Sequence, residues 1–134
     1  MGEKYGEIPL TGAECAAVLE LGQRPTFAIC PGADGAQVAE LTALAERITA
    51  AGASGRLPPE LHPDVRKLLR EAIHETRHEL WHERRGRERW RAGDASSGLA
   101  GVSDEEHEQR YAEQINRCAQ LLAALTTLAV KLAP

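Results

Sequence analysis

The clearest pattern of apolar and polar positions lies near the C-terminus, where apolar residues recur at alternating spacings of four and three. This spacing predicts an amphipathic helix over about 103–132, opened by the capping-box pair Ser103 and Glu106. Leu121 and Leu128 widen the apolar stripe, so several helices or a second copy of the chain must cover it. The stripe consists of Tyr111, Ile115, Cys118, Leu122, Leu125, Ala129 and Leu132.

A second long helix is predicted over about 63–91. Pro63 suits a first helical turn, and Asp64 is favourable near the positive end of the helix. Continuation past Gly86 to Arg91 costs about 1 kcal/mol for the glycine. Residues 93–102 have the composition of a flexible loop. The apolar stripe of this helix is Val65, Leu68, Leu69, Ala72, Ile73, Thr76 and Leu80.

The N-terminal part predicts one short helix over about 12–21. Thr11 and Glu14 form a capping-box pattern before it, and Gly22 provides a stop. The following segment, 25–30, is the only one that resembles a strand. Because the chain offers a lone strand no partner, an extended connector is expected there.

A further helix is predicted from its cap at Asp34 to about Ala51. Val38, Leu41 and Ala45 begin its apolar face, and Gly52 is expected to end it.

These elements predict an all-α fold. The apolar share is 43%, but the chain has only one Phe, two Tyr and two Trp, so its core must consist of aliphatic side chains, which favours helices. We expect a small bundle of three to four helices in one domain, 1–134, with two long antiparallel helices in the C-terminal half. Residues 1–10 are expected to form a flexible N-terminus.

Three cysteines, Cys15, Cys30 and Cys118, lie far apart and form no paired spacing. An odd number of separated cysteines argues against a disulfide framework and for a reducing compartment. The chain starts without an apolar leader run, and its longest apolar stretch is too short to cross a bilayer. We therefore expect a soluble, cytoplasmic protein without a membrane partner.

Charge is distributed unevenly along the chain. Residues 63–93 carry nine basic and six acidic side chains, a balance of +3, whereas the segments on either side are acidic, with −4 for 1–62 and −3 for 94–134. One interpretation is that the segments pack together and neutralise each other. The other is a localised basic patch for a polyanion.

The segment from His74 to His82 reads His-Glu-Thr-Arg-His-Glu-Leu-Trp-His, two overlapping copies of His-Glu-x-x-His. Positions i and i+4 lie on one helix face, so His78 can share a metal ion with either of the other histidines. Glu75 or Glu79 would then lie beside a metal-bound water as a general base. The same residues also fit a solvated face on which acids and bases pair.

This pattern resembles the active-site helix of zincin metallopeptidases, in which two histidines bind zinc and the glutamate activates water. The resemblance implies that His74 and His78 are ligands with Glu75 as base, or that His78 and His82 are ligands with Glu79 as base. It covers only these few residues, and the downstream glycine and third histidine of the extended zincin pattern do not occur.

A third ligand for zinc would have to come from the next helix. Glu105, Glu106 and Glu108 are the candidates there, and we single out Glu106. Zinc is the one cofactor that the sequence raises, in a hydrolytic, structural or adventitious role.

An arginine-rich segment follows the histidines and offers arginines for phosphates and a tryptophan for base stacking. Its alternative interpretation is a helix end that balances the acidic segments and the negative pole of the helix dipole. The residues are Arg84, Arg85, Arg87, Arg89, Trp90 and Arg91.

Three functions follow from these patterns. The first is a small non-enzymatic interaction protein, an adaptor, regulator or subunit, that forms a homo-oligomer through its C-terminal helix. Its interface would consist of Tyr111, Ile115, Cys118, Leu122, Leu125 and Leu132. The second is a metal-dependent hydrolase, and the third is a nucleic-acid-binding protein.

Overall fold

A computed structural model describes residues 6–27, 29–93 and 104–133. It confirms the all-α fold, with two long helices in the C-terminal half. A two-residue pair of strands and a 3₁₀ turn at Pro59–Leu61 complete the described elements. In chain order the helices and strands are β1 (Ile8–Pro9), α1 (Gly12–Leu21), α2 (Arg24–Phe27), α3 (Gly35–Ser54), β2 (Arg56–Leu57), α4 (His62–Arg91) and α5 (Asp104–Leu132).

The chain divides into two compact units. The first contains Met1–Ala72 and Ala124–Pro134, and the second contains Ile73–Ala123. The two long helices each run through both units. In the first unit, Arg66 near the start of α4 donates a hydrogen bond of 2.8 Å from Nε to the carbonyl oxygen of Leu132 at the end of α5.

The first helix begins and ends as the sequence predicts, over Gly12–Leu21 with a complete capping box. The Thr11 hydroxyl accepts from the Glu14 amide at 3.2 Å, and the Glu14 carboxylate accepts from the Thr11 amide at 2.9 Å. Gly22 follows with an ordinary helical φ of −63°. A Cβ on Gly22 would lie 3.1 Å from the Thr49 amide nitrogen. The glycine therefore permits close packing of α1 on α3 and is not needed for a left-handed turn.

The prediction that Gly52 ends the next helix is wrong. Asp34 caps α3 as predicted, accepting from the Gln37 amide at 2.7 Å, but the helix continues to Ser54. It ends at Gly55, which has a left-handed φ of 79°. Gly52 is buried inside the helix, where an added Cβ would lie 2.9 Å from Leu19 Cγ. A glycine fits at this position because α1 and α3 approach each other closely there, and not because the helix ends.

The extended connector predicted at 25–30 is wrong for residues 25–27, because Arg24–Phe27 forms one helical turn. Pro25 fixes a φ that suits the first turn of a helix. The Thr26 hydroxyl donates to the Gln23 carbonyl at 2.9 Å, which satisfies a backbone acceptor where α1 has just ended. These local contacts stabilise a helical turn although the composition of the segment is typical of a strand.

The sequence did not predict the small antiparallel ladder in which Ile8 pairs with Leu57 and Pro9 with Arg56. Leu57 is fully buried, and the Arg56 guanidinium lies 2.8 Å from the Glu7 carboxylate. Part of the segment expected to be a flexible N-terminus is therefore held against the residues that follow α3.

Glu14 joins α1 to the end of α5 within the first unit. Only 1% of its surface is exposed. Its carboxylate accepts from the Thr127 hydroxyl at 2.9 Å and lies 2.5 Å from Lys131 Nζ. Burial favours the neutral acid, but hydrogen bonds from Lys131, the Thr11 amide and Thr127, with the Lys131 charge, outweigh it and lower the pKa of Glu14.

The second unit is a hairpin of two helical segments, 73–91 of α4 and 104–123 of α5. The segments run antiparallel, because Arg91 pairs with Glu108 at one end while Glu79 lies beside Cys118 toward the other. The α4 helix passes Gly86 without a break, as predicted. Gly86 faces Tyr111, whose Cε1 would lie 3.2 Å from an added Cβ. The predicted loop at 93–102 and the Ser103 cap fall almost wholly outside the described residues.

Candidate functional site

The three histidines of the His-Glu repeat all lie on the exposed side of α4. His78 and His82 are brought together, with their Nε2 atoms 3.0 Å apart and their rings edge to face at 4.4 Å between centroids. His74 lies one turn earlier on the same side of the helix. Of the two pairings that the sequence allows, the structure forms the one between His78 and His82.

Trp81 borders this histidine pair. Its ring packs edge to face on His82 at 5.1 Å, yet 56% of the residue is exposed. The Arg85 guanidinium carbon lies 5.8 Å from the centre of the Trp81 ring, within cation–π range. Trp81 was not predicted as a site residue from the sequence, although its position off the apolar stripe of the helix could have marked it as a surface aromatic.

Glu75 and Glu79 of the repeat are both exposed, but their surroundings differ. Glu79 forms a hydrogen bond with Cys118 on α5, while Glu75 lies on the solvent side of α4. Burial raises the pKa of the Cys118 thiol, and the nearby Glu79 and Glu83 carboxylates raise it further. Cys118 is therefore a buried, protonated thiol with little nucleophilic character.

Glu106 does not come near the histidines. It precedes Cys118 by 12 residues on α5, and Cys118 lies level with Glu79. At about 1.5 Å per residue, Glu106 lies roughly 18 Å farther along the hairpin than Glu79 and roughly 14 Å beyond His82. Among residues 6–27, 29–93 and 104–133, no three His, Cys, Asp or Glu side chains are grouped so that they could hold a metal ion.

The arginine cluster is divided between two environments. Arg87 and Arg91 both bind Glu108, with distances of 3.2 Å from Arg87 Nη2 and 2.5 Å from Arg91 Nε. The hydrogen bond from Arg91 has the largest effect on Glu108 and lowers its pKa. Desolvation opposes it, but the hydrogen bond from Arg87 and the charges of both arginines keep the pKa of Glu108 below its ordinary value. The neutralising interpretation of the charge pattern is thus confirmed for these two arginines.

Trp90 is also used within the hairpin. Its ring stacks on the buried His107 at 5.3 Å between centroids, with an angle of 29° between the ring planes, and lies 6.3 Å from the Tyr111 ring. Arg84, Arg85 and Arg89 remain exposed on α4. Arg91 is exposed as well, but its guanidinium is paired with Glu108.

The residues proposed for an oligomer interface also fall into two groups. Cys118, Leu125 and Leu132 are buried within the chain itself. Tyr111, Ile115 and Leu122 are only half-buried, so part of each side chain remains accessible to solvent. The apolar stripe of α5 is therefore divided into core positions and positions that are partly open.

No protein-family model, curated protein or solved structure matches this chain significantly. None of the helices in the described part of the chain is both long and apolar enough to span a bilayer.

Proposed function

We propose that this chain is a small non-enzymatic interaction protein that self-associates through its helical hairpin. The contact surface in this proposal contains Tyr111, Ile115 and Leu122 of α5. One observation carries it: these side chains stay partly exposed although they belong to the apolar stripe of a 29-residue helix.

A hairpin of only two helices leaves these apolar residues of α5 partly exposed to solvent. Each helix of a hairpin can bury one stripe against the other, and an apolar face wider than that needs further helices. In the hairpin, Thr76, Leu80, His107 and Cys118 are buried. Pairing of two hairpins would form a four-helix arrangement, the common way in which such stripes are covered.

Self-association would not use the whole stripe that the sequence suggested. Leu125 and Leu132 are already 1% and 2% exposed within one chain, so they have no surface left to give to a partner. We therefore restrict the proposed contact to the hairpin part of α5. A reducing, cytoplasmic location is part of the proposal, supported by the free thiols of Cys15, Cys30 and Cys118.

Charged substitutions in the hairpin test the proposal. Leu122→Glu and Ile115→Glu should each shift the light-scattering mass from oligomer to monomer, because a buried unpaired carboxylate opposes association. Gln120→Glu is the matched control on an exposed position of the same helix and should keep the oligomer. Circular dichroism must show that the monomeric variants stay helical. An unchanged mass for both folded hairpin variants would contradict the proposed surface.

Nucleic-acid binding is the second candidate, favoured by the exposure of Arg84, Arg85 and Arg89 on one helix. Two further arginines of the cluster already share Glu108, which lowers the charge available for phosphates. The hydrolase hypothesis has the His78–His82 pair in its favour, without a third ligand grouped with it among the described residues.

A further inference from the structure

The His78–His82 pair has the geometry of half a zinc site. Zinc binds imidazole nitrogens at about 2.0–2.1 Å, and two such nitrogens are about 3.3 Å apart when the angle at the metal is tetrahedral. The two Nε2 atoms are 3.0 Å apart on exposed side chains. Small rotations of the two imidazoles would therefore let both nitrogens bind one ion.

Such a site needs ligands from elsewhere. Structural zinc sites in proteins are almost always four-coordinate. The part of the chain that the structure describes groups no third His, Cys, Asp or Glu with the pair. Because both rings lie on the outer side of α4, a second molecule can approach them without any rearrangement of the helix.

The surroundings of the pair favour a second copy of the chain as the source of those ligands. A twofold contact between two α4 helices would bring the same two imidazoles from the other side. Trp81 packs on His82 with more than half of its surface exposed, so the same contact would bury apolar area next to the metal.

We propose that His78 and His82 bind a zinc ion that bridges two copies of the chain, with four imidazoles around the metal. The bridge would join the exposed faces of two α4 helices. It differs from the hairpin contact proposed above, which uses α5 and requires no metal. The role of zinc here is structural, and no hydrolytic step is assigned to it.

Zinc titration of the tag-free full-length chain tests this proposal. Calorimetry should show binding at micromolar zinc with one ion for every two chains, and sedimentation velocity should show the mass doubling over that of the zinc-free sample. Chelation with EDTA should reverse the doubling. His78→Ala and His82→Ala should each lose both zinc binding and the doubling.

His74→Ala is the matched control, because His74 is the same residue type on the same side of α4 but is not part of the close pair. It should bind zinc and double in mass like the parent chain. No binding at micromolar zinc, or one zinc per chain without a change in mass, would overturn the bridged site. Self-association that persists in EDTA bears on the hairpin contact alone, so the two proposals can fail separately.

Discussion

At the residue scale, Glu14 shows which contacts a local sequence pattern predicts and which it does not. The sequence predicted its part in the capping box with Thr11, because both partners lie within one turn. Its bonds to Thr127 and Lys131 join residues 113 and 117 positions apart, and no local pattern encodes contacts of that range. The carboxylate that begins α1 therefore also anchors the end of α5.

Replacing Glu14 with Gln should lower the free energy of unfolding by about 1–3 kcal/mol. The change removes the charge from bonds to an ammonium group, which are stronger than neutral hydrogen bonds. Urea denaturation followed by circular dichroism measures the effect. Glu20→Gln, at an exposed position on the same helix, should change stability by less than about 0.5 kcal/mol. Equal effects of the two substitutions would show that Glu14 is not an anchor.

The same carboxylate predicts how stability depends on pH. The pKa of Glu14 is below its ordinary value of 4.5 in the folded chain. Its contribution is therefore complete above pH 4.5 and is lost as pH falls through the lower, folded pKa. The stability difference between the parent chain and Glu14→Gln should be constant from pH 7 to 5 and shrink below 4.5. A difference that grows on acidification would contradict the bonding described for Glu14.

At the element scale, the helices of the chain were predictable because spacing and caps are local properties. The C-terminal end of α3 was not, since Gly52 contacts Leu19 inside the helix and does not end it. The helical turn at Arg24–Phe27 was not predicted either. The histidine face of α4 was predictable from i,i+4 spacing. The choice of His82 over His74 as the neighbour of His78 required side-chain positions.

Gly52→Ala tests the tight contact between α1 and α3. In an open helix this change stabilises by about 1 kcal/mol. Here the new methyl would lie 2.9 Å from Leu19 Cγ and 3.1 Å from the Leu19 amide nitrogen, so we expect destabilisation of about 1–3 kcal/mol. Thermal unfolding measures it. Gly35→Ala in the first turn of α3, with nothing within 4 Å of the new methyl, should be neutral or stabilising. A stabilised Gly52→Ala chain would contradict the close approach.

At the scale of the whole molecule, the exposed arginines of α4 would suit a nucleic acid, whereas the partly exposed apolar residues of α5 would suit a second protein chain. The sequence places six candidate residues in one arginine-rich segment. In the fold, Arg87 and Arg91 form ion pairs with Glu108, and the Trp90 ring stacks on His107. This division could not be predicted, because it depends on how the two helices of the hairpin align. The exposed remainder carries a weaker charge than the sequence suggested.

If nucleic acid binds, Arg84, Arg85 and Arg89 must carry the electrostatic part of the affinity. Three phosphate contacts would give a log–log dependence of affinity on salt with a slope of about −3 on duplex DNA. Replacing the three arginines with Gln should flatten the slope, whereas Arg110→Gln on the exposed side of α5 should not. Fluorescence anisotropy measures both. No anisotropy change at low salt would remove this candidate.

Self-association of the hairpin is the claim on which the proposed function depends, and sedimentation velocity of the metal-free chain tests it most directly. In the presence of EDTA, we expect the sedimentation coefficient to rise with protein concentration to that of an oligomer. The Ile115→Glu variant should remain at the monomer value. A folded parent chain that sediments as a monomer at every concentration would contradict the account.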